Sequence, residues 1–414
     1  MNEVSISIRI RLSVMMFMQY IIFAVFWVPL SAYLNALGAS DTQTWLILST
    51  MAFGCIVSPI VCMFADRHFA SNRVLMVLNI ACAVLLFFAA RQTDAGNLFV
   101  LLLIAMFCYM PTWSLTNAIA MSNFPSEKFP QIRLFGSIGW VASAVFSIVA
   151  MKLLGVKRFD DTAIPLYCGA AMALVAAIVN LTLPDTPPPA KGQKASIVDA
   201  LGLRAMTLMK DTNFALFILL SMLVMIPFTL YFSLGAKFLD SQGFKYVTVT
   251  MNLGQLVEMG IMLLVPLALV RFGVKWTMMI GLAALVVRYV AFWGGVASEQ
   301  TMLYFVAVLV HGIIFGFFFV GGQVYVDKKA PSKIRAQAQG LIFLICFGVG
   351  MFLGNLINVK LIAHYTADGV CNWNPVFVIT VVSSSVLLAA FALFFRDDVK
   401  QASEHSSAAQ EPQS

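Results

Sequence analysis

Charged side chains are scarce in this chain, at 11% of 414 residues, whereas a soluble globular domain carries about 25%. Apolar residues make up 61%, and the mean hydropathy is +0.90. They come in repeated blocks long enough to cross a hydrocarbon layer of about 30 Å. The composition therefore excludes an ordinary soluble domain and predicts a polytopic α-helical protein of the lipid bilayer.

Clustered metal ligands and paired cysteines are also missing. The chain has seven cysteines and four histidines, without a CxxC motif or a His-rich run, so neither a disulfide framework nor a metal site is indicated. We find no nucleophile–base set, and we expect neither an enzyme nor a cofactor. Five cysteines lie in apolar stretches and are interpreted as small buried hydrophobes: Cys55, Cys62, Cys82, Cys108 and Cys346.

Polar, proline and glycine breaks divide the chain into twelve predicted membrane spans. The first is too long for the apolar core of a signal peptide and lacks a small-residue cleavage site, so no removable signal is predicted. The spans are 12–36, 43–64, 74–91, 98–122, 131–153, 164–183, 213–236, 247–270, 276–295, 302–324, 336–362 and 375–395.

Positive charges set the expected orientation. With a cytoplasmic N-terminus, 18 of the 26 lysines and arginines fall in inner loops or at inner helix ends. The other eight are outer, such as Arg91, Lys157, Arg158 and Lys245. We therefore predict that both termini are cytoplasmic. This asymmetry accounts for the net charge of +7 without a nucleic-acid partner.

The longest polar break, 184–212, separates two predicted six-helix halves, 1–183 and 213–396, and a polar tail at 397–414 is predicted to be disordered. A weak repeat supports the division. Arg73 and Lys275 open spans three and nine, and Arg133 and Arg335 open spans five and eleven. Both pairs are 202 residues apart (275 − 73 and 335 − 133). Parallel six-helix repeats with a ligand site between them are typical of the major facilitator architecture.

The loop after span two, 64–73, resembles the signature loop of the major facilitator superfamily. In that loop an aspartate and basic residues latch helix ends on the cytoplasmic side, which here implicates Asp66, Arg67 and Arg73 in gating. The copy is degenerate, because Phe64 and Phe69 or their neighbours replace the usual glycines. The alternative is simple positive-inside anchoring.

A carboxylate interrupts span eight. Glu258 follows Gln255 by three residues and Asn252 by six, so the three share roughly one helix face. A charge at bilayer depth is costly and usually faces a cavity or a partner, which makes it a functional-site hypothesis. The main alternative is a structural ion pair, for which Arg288 in span nine is a candidate partner.

Span five carries a polar and aromatic stripe. Arg133, Ser137 and Trp140 lie at i, i+4 and i+7, on one helical face. A guanidinium, a hydroxyl and an indole together suit a polar ligand with a flat ring. Alternatively, Arg133 anchors the helix end and Trp140 only packs.

Span ten places His311, Phe315, Phe318 and Gly322 on one face. An aromatic stripe is more often core or lipid-facing than a ligand site. A histidine at depth favours function, because an imidazole needs hydrogen-bond partners and can titrate near neutral pH.

Several blocks together resemble the bacterial nucleoside:proton symporter family of the major facilitator superfamily. They are 129–140, Gln255 with Glu258, 325–331, 335–340, 109–112 followed by Asn117, and 183–187. The resemblance implies a proton-driven importer of nucleosides in the bacterial inner membrane. It also implies a cavity lined by Arg133, Ser137, Trp140, Gln255, Glu258 and Phe315.

Three departures from that family concern the substrate. Thr229 and Phe232 stand where nucleoside-transporting relatives have an amide pair, Gly316 replaces an acidic residue, and His311 takes the place of a tyrosine found in some relatives. We retain Thr229, His311 and Phe318 as candidate substrate contacts. Glu258 is the first candidate for proton coupling and His311 the second.

The sequence is interpreted as a monomeric twelve-helix nucleoside:proton symporter that works by alternating access. Two alternatives remain open. One is a symporter of a sugar or another small polar metabolite, and the other is a membrane structural or sensory subunit that does not transport.

Overall fold

A computed structural model of the chain describes residues 5–124, 129–188, 191–192, 196–201, 203–331 and 334–398; the side chains of 64–66, 130, 199–200 and 335–336 lie outside this description. The described part is almost entirely helical. One two-stranded antiparallel hairpin, β1 (Thr366–Ala367) with β2 (Val370–Cys371), connects the last two spans.

The N-terminal half consists of nine helices that make six spans. They are α1 (Ile6–Trp27), α2 (Leu30–Ala36), α3 (Asp41–Leu48), α4 (Thr50–His68), α5 (Ser71–Ala89), α6 (Ala95–Asn123), α7 (Phe129–Ala142), α8 (Ala144–Lys152) and α9 (Ile164–Asn180). Three spans are broken near their middle or outer end, giving the pairs α1–α2, α3–α4 and α7–α8.

The linker between the halves contains α10 (Ile197–Ala200) and a 3₁₀ segment, Leu203–Lys210. The C-terminal half contains α11 (Thr212–Phe232), α12 (Gly235–Ser241), α13 (Val247–Ser298), α14 (Thr301–Leu309), α15 (His311–Ile313), α16 (Gly321–Lys329), α17 (Arg335–Phe343), α18 (Met351–His364) and α19 (Trp373–Phe394). Two π-helical segments, Ile314–Val320 and Leu344–Gly350, interrupt its spans ten and eleven.

The prediction of twelve spans is confirmed. Ten helical stretches among the described residues are long and apolar enough to cross a membrane, and Ile164–Asn180 is a shorter apolar helix. The 52-residue α13 contains two spans, because Gly273 inside it has φ 76° and ψ 177°. Ten plus one plus this second span gives twelve. Glycine adopts that positive φ without a steric penalty, so the chain reverses there between spans eight and nine.

The first two residues of the predicted tail, Asp397 and Asp398, contact the C-terminal half. Asp397 Oδ2 accepts hydrogen bonds from the backbone N–H groups of Val274 (2.8 Å) and Lys275 (3.3 Å), just after the reversal at Gly273. The Asp398 carboxylate lies 2.5 Å from Lys329 Nζ. Residues 397 and 398 are thus bound to the inner end of the C-terminal half, and the rest of the tail lies outside the described residues.

The interior of the N-terminal half contains a network of neutral polar groups. The Gln19 and Asn79 amides exchange hydrogen bonds of 3.3 and 3.1 Å, and Gln19 Nε2 also donates to Thr112 Oγ1 at 2.6 Å. The Tyr109 hydroxyl donates to the Gln19 carbonyl and accepts from Trp113 Nε1 at 3.1 Å. Because these groups are paired, their burial among α1, α5 and α6 is not penalised.

Two glycines set the spacing of the helices that carry the candidate site. A Cβ at Gly254 of α13 would lie 2.7 Å from the Val308 carbonyl oxygen and 2.9 Å from His311 Cβ. A Cβ at Gly312 would overlap the backbone of Glu258. The absence of side chains at both positions lets α13 contact α14 and α15 directly, and this brings His311 beside Glu258.

Candidate functional site

A small central cavity of about 20 Å³ lies between the two halves, enough for about one water molecule. α1 and α7 supply its N-terminal wall, and α11, α13 and α15 supply the opposite wall. The cavity is lined by Trp27, Val28, Trp140, Tyr231, Phe232, Met251, Asn252, Gln255 and His311.

The N-terminal wall carries a positive charge and aromatic rings. Arg133 Cζ lies 4.2 Å from the centroid of the Tyr20 ring, a distance at which a cation–π contact forms. Trp140, two turns further along α7, has its ring centroid 6.5 Å from that of Phe232 in the other half. Ser137 lies between them on α7 and is half-buried. The predicted stripe of span five therefore runs along the interface between the halves.

The opposite wall carries the carboxylate. Glu258 is 6% exposed, and its Oε2 lies 3.9 Å from His311 Nε2. The charge of Arg133 and the side chain of Gln255 both act electrostatically on this carboxylate. Because Arg133 belongs to α7 and Glu258 to α13, opposite charges face each other across the two halves.

Arg288 is not the ion-pair partner of Glu258. Within the described part of the chain no ion pair joins them; Arg288 Nη2 lies 2.9 Å from His311 Nδ1, and Arg288 Nε donates to the Ala307 carbonyl at 3.2 Å. A guanidinium can only donate, so Nδ1 of His311 accepts and the imidazole is neutral. Its proton is then on Nε2, the nitrogen that faces Glu258.

Phe315 and Phe318 diverge because the helix changes its pitch between them. The π segment Ile314–Val320 replaces i→i+4 bonds with i→i+5 bonds and rotates the residues that follow. Phe315 remains near His311, with ring centroids 6.3 Å apart. Phe318 is 1% exposed and packs on Phe391 at 6.1 Å. The common face predicted for them is therefore wrong.

Thr229 is fully buried inside the C-terminal half. Its Oγ1 donates to the Ile226 carbonyl at 3.0 Å and accepts from Asn358 Nδ2 at 3.0 Å. The structure thus places the hydroxyl against α18, whereas Phe232, one turn further along α11, lines the cavity.

Gly316, where the sequence resemblance leads one to expect an acidic residue, is enclosed by apolar atoms. A Cβ at this position would lie 2.8 Å from Ile261 Cγ2 and 3.5 Å from Val265 Cγ2. An acidic side chain would therefore require Ile261 to move, and glycine fits the space that this chain provides.

The predicted inner latch is only partly visible. Arg73 lies 3.9 Å from Asp185, and both side chains are mostly exposed. Arg67 Nη1 donates to the Met63 carbonyl at 3.1 Å, and the Asp66 side chain lies outside the described residues. The Arg73–Asp185 contact joins the N-terminal half to the start of the linker and, being exposed, contributes little to stability.

Polar contacts join the two halves at the end of the helices opposite the chain termini, which the positive-inside prediction makes the outer side. Asn252 Nδ2 donates to Ser143 Oγ at 3.0 Å, Asn355 Nδ2 donates to the Leu48 carbonyl at 2.8 Å, and Arg158 pairs with Asp240 at 2.5 Å. These contacts close the cavity toward the outer end of the helices.

Asp160 is the most buried charge of this outer contact, at 4% exposure. It lies before α9 and accepts from the N–H of Val247 at 3.0 Å and from the Thr248 hydroxyl, at the first turn of α13 in the other half. Burial raises the pKa of Asp160 to about 6, although the bonds from Thr248 and Val247 partly oppose this shift. Sequence reasoning missed this residue, because a short polar loop gives no sign of which helix it caps.

Comparisons with known proteins show the family and the fold. A sequence model described as nucleoside H⁺ symporter matches residues 6–400. The chain belongs to the nucleoside H⁺ symporter family. Its relatives include the nucleoside-transporter candidate YegT of Escherichia coli K12, 37% identical over 94% of this chain and 93% of that protein. The xanthosine permease of the same organism is 30% identical over 94% and 96% of the two chains.

Solved structures of the family have the same fold. The crystal structure of a single-residue mutant of the nucleoside transporter NupG matches with a TM-score of 0.86 at 28% identity, covering 94% of this chain and all of that one. A D-xylose–proton symporter matches with a TM-score of 0.72 at 12% identity, over 95% of this chain and 99% of the other. At that identity the likeness shows the fold alone. The predicted fold, two six-helix halves of the major facilitator type, is confirmed.

Proposed function

We propose that this chain is a bacterial inner-membrane importer that carries nucleosides into the cell together with protons, acting as a monomer with both termini in the cytoplasm. The observation that carries the proposal is the buried Glu258 of one half, which lies within electrostatic reach of Arg133 of the other half, next to the cavity between them. Family membership and the relatives named above support the nucleoside class, and the two bacterial relatives support the location.

The residues around the cavity suit a flat, polar molecule, which requires the two halves to move apart to enter. Trp140 and Phe232 offer aromatic faces from opposite halves, and base–aromatic stacking contributes about 1–3 kcal/mol per base. Gln255, Arg133 and Glu258 offer donors and acceptors for polar edges. A sugar would use the polar groups and leave the facing rings without a planar partner, so we favour a nucleoside over the sugar alternative.

Proton coupling acts through the Arg133–Glu258 pair in this proposal. A proton on Glu258 removes the negative charge that attracts Arg133 of the other half, and a bound substrate competes for the same two groups. Both ligands therefore bias the same contact between the halves, which is the requirement for coupling two binding events. His311, kept neutral by Arg288, presents its Nε2 proton toward Glu258 and helps to hold this carboxylate.

The outer closure represents one state of the alternating-access cycle. The halves contact each other through Asp160, Ser143 and Leu48 at the outer side, so opening on that side requires these bonds to break. Rocking of two six-helix halves around a fixed central site is the expected motion for this architecture.

Transport by purified protein in liposomes tests the proposal. With an inward proton gradient, vesicles should accumulate a labelled nucleoside, unlabelled nucleosides should compete, and xylose or glucose should not. Accumulation that ignores the proton gradient would contradict coupling. Competition by sugars but not by nucleosides would replace the substrate class.

A further inference from the structure

Three residues at the outer end of the central cavity each carry a buried polar atom without a hydrogen-bond partner among the described residues. The atoms are Trp27 Nε1, Tyr231 Oη and Asn252 Oδ1. The residues are 3%, 4% and 2% exposed, and all three line the cavity. Buried polar atoms are nearly always paired in folded proteins, so three unpaired polar atoms on residues around one cavity require a partner there, either a water or a ligand group that replaces it.

Their side chains are held in place by other contacts. The Trp27 ring stacks on Phe23 with centroids 4.9 Å apart. The Tyr231 ring has Arg288 Cζ 4.2 Å from its centroid. The Asn252 amide nitrogen donates to Ser143 at 3.0 Å, which leaves its oxygen for another partner. A polar group held in this way binds without a large cost of ordering.

These three residues lie at a different level along the helices from Arg133 and Glu258. Trp27 is the last residue of α1, Tyr231 is the penultimate residue of α11, and Asn252 is in the second turn of α13. Glu258 lies six residues further inward along the same helix. A ligand that meets both sets must be polar at two ends, with its flat part beside Trp140 and Phe232.

The hydrogen-bonding capacity of the three atoms determines which chemical group can bind to all of them. An indole N–H only donates, an amide oxygen only accepts, and a phenol does either. A phosphate or carboxylate would leave the Asn252 oxygen facing another acceptor, and an ammonium group would leave the Trp27 donor without an acceptor. Two neighbouring hydroxyls satisfy all three, because each hydroxyl both donates and accepts.

We propose that Trp27, Tyr231 and Asn252 form a hydroxyl subsite that binds the vicinal diol of a ribose, so that this transporter prefers ribonucleosides to analogues without those hydroxyls. The inference rests on the proposed nucleoside function and adds a specificity to it. Sites built to hydrogen-bond a hydroxyl reject analogues that lack it far better than apolar pockets do.

Binding titrations on the purified full-length protein test the subsite with four probes: uridine, 2′-deoxyuridine, 2′,3′-dideoxyuridine and free ribose. Wild type should bind uridine at least about tenfold more tightly than dideoxyuridine, which corresponds to a single lost hydrogen bond to a buried group. Tyr231→Phe and Trp27→Phe remove one polar atom each and keep a ring. Both should weaken uridine binding and leave dideoxyuridine binding nearly unchanged.

Tyr304→Phe is the matched control, because its hydroxyl already donates to Gln242 Oε1 at 2.9 Å and lies outside the cavity. It should keep the wild-type ratio of affinities. Equal binding of uridine and dideoxyuridine by wild type, or an unchanged ratio in both variants, would overturn the subsite while nucleoside binding stands. Failure of every nucleoside to bind would overturn the proposed function as well. Tight, Tyr231-dependent binding of free ribose would support the hydroxyl subsite and contradict the nucleoside function.

Discussion

The two halves bury polar groups in different ways. In the N-terminal half the buried network of Gln19, Asn79 and Thr112 is neutral, and its members pair with one another. In the C-terminal half the buried groups include Glu258, Arg288 and His311, which are ionisable. Arg288 Nη1 and the Tyr231 hydroxyl have no partner among the described residues.

The paired neutral groups support the fold, whereas the ionisable groups can bind and release protons. A fully paired neutral network specifies one arrangement of helices and does not respond to protons. Ionisable groups at membrane depth are costly and usually mark ion or proton pathways. We infer that the N-terminal half contributes Arg133 and aromatic rings to the central region, while the C-terminal half contains the buried groups of that region that can change charge. Asp160, a buried carboxylate of the N-terminal half, lies instead at the outer contact between the halves.

The largest effect is expected from Glu258→Gln, which should abolish proton-driven accumulation of substrate because the amide cannot carry the proton. Exchange of labelled for unlabelled substrate without a gradient should persist, since that reaction needs no net proton movement. Uptake into proteoliposomes measures both.

Glu299→Gln is the control for Glu258→Gln. It removes a carboxylate at the C-terminal end of the same long helix α13, far from the cavity, and should leave accumulation unchanged. Normal accumulation by the Glu258 variant would move proton coupling out of the C-terminal half.

The next largest effect concerns the charge that the N-terminal half contributes. Arg133→Ala should weaken substrate binding by about 1–3 kcal/mol, the scale of a lost charge-assisted hydrogen bond, and Trp140→Ala should do the same through lost stacking. Isothermal titration with the preferred nucleoside measures the loss. Leu134→Ala, at a side chain 43% exposed on the outside of the same helix, should bind normally. A Leu134 variant as weak as the Arg133 variant would assign the stripe to packing.

A third prediction tests how much the paired polar network stabilises the N-terminal half. Asn79→Leu leaves the Gln19 amide without its main partner and should lower the free energy of unfolding by about 1–3 kcal/mol. Thermal unfolding in detergent measures the change, and the affinity of the folded fraction should stay the same. Tyr231→Phe should leave stability unchanged, because its hydroxyl has no partner within the described chain. Equal destabilisation by both would remove the contrast between the halves.

The smallest effect is a pH dependence of the outer closure. The pKa of Asp160 is about 6 when the halves are closed, and exposure to water on opening would return it toward its ordinary value near 4. The closed state therefore binds the proton more tightly, and closure becomes more favourable as the outer pH falls from above 6 toward 4. The gain is at most about tenfold in the closed-to-open ratio for each pH unit.

Distances between spin labels at Leu154 and Met302, exposed outer positions in different halves, would report this closure in a background without the native cysteines. Asp160→Asn keeps a carbonyl acceptor for Val247 and should remove the dependence between pH 4 and 6. A dependence of the opposite sign would contradict the assignment to Asp160.

Particular residues show how far sequence reasoning extends. The positions of the twelve spans follow from apolar length alone, since a membrane requires continuous helices. Glu258 stands out because it is a charge in an apolar stretch. Trp27 and Tyr231 could not be distinguished from core aromatics, because their significance depends on unpaired atoms that only the packed structure shows.

The 202-residue repeat also illustrates the limit. It predicts matching helix starts, and Ser71 and Gly273 (273 − 71 = 202) do begin spans three and nine. It does not predict the π segment that turns Phe318 away from Phe315, because the i→i+5 bonds result from packing against α13. Nor does the repeat predict that Arg288 hydrogen-bonds to His311 instead of pairing with Glu258.

The sequence by itself determined the membrane class, the twelve spans, the two halves and the family. Apolar length, charge placement and short sequence motifs are local properties of the chain, so they can be read without the structure. The tertiary structure decided which polar groups meet: Arg133 with Glu258, Arg288 with His311, and Asp160 with the first turn of α13. These pairings join residues that are distant in sequence, and the contact distances are set by close approach at glycines such as Gly254 and Gly312. Periodicity specifies the face of a helix, but only packing specifies what that face contacts.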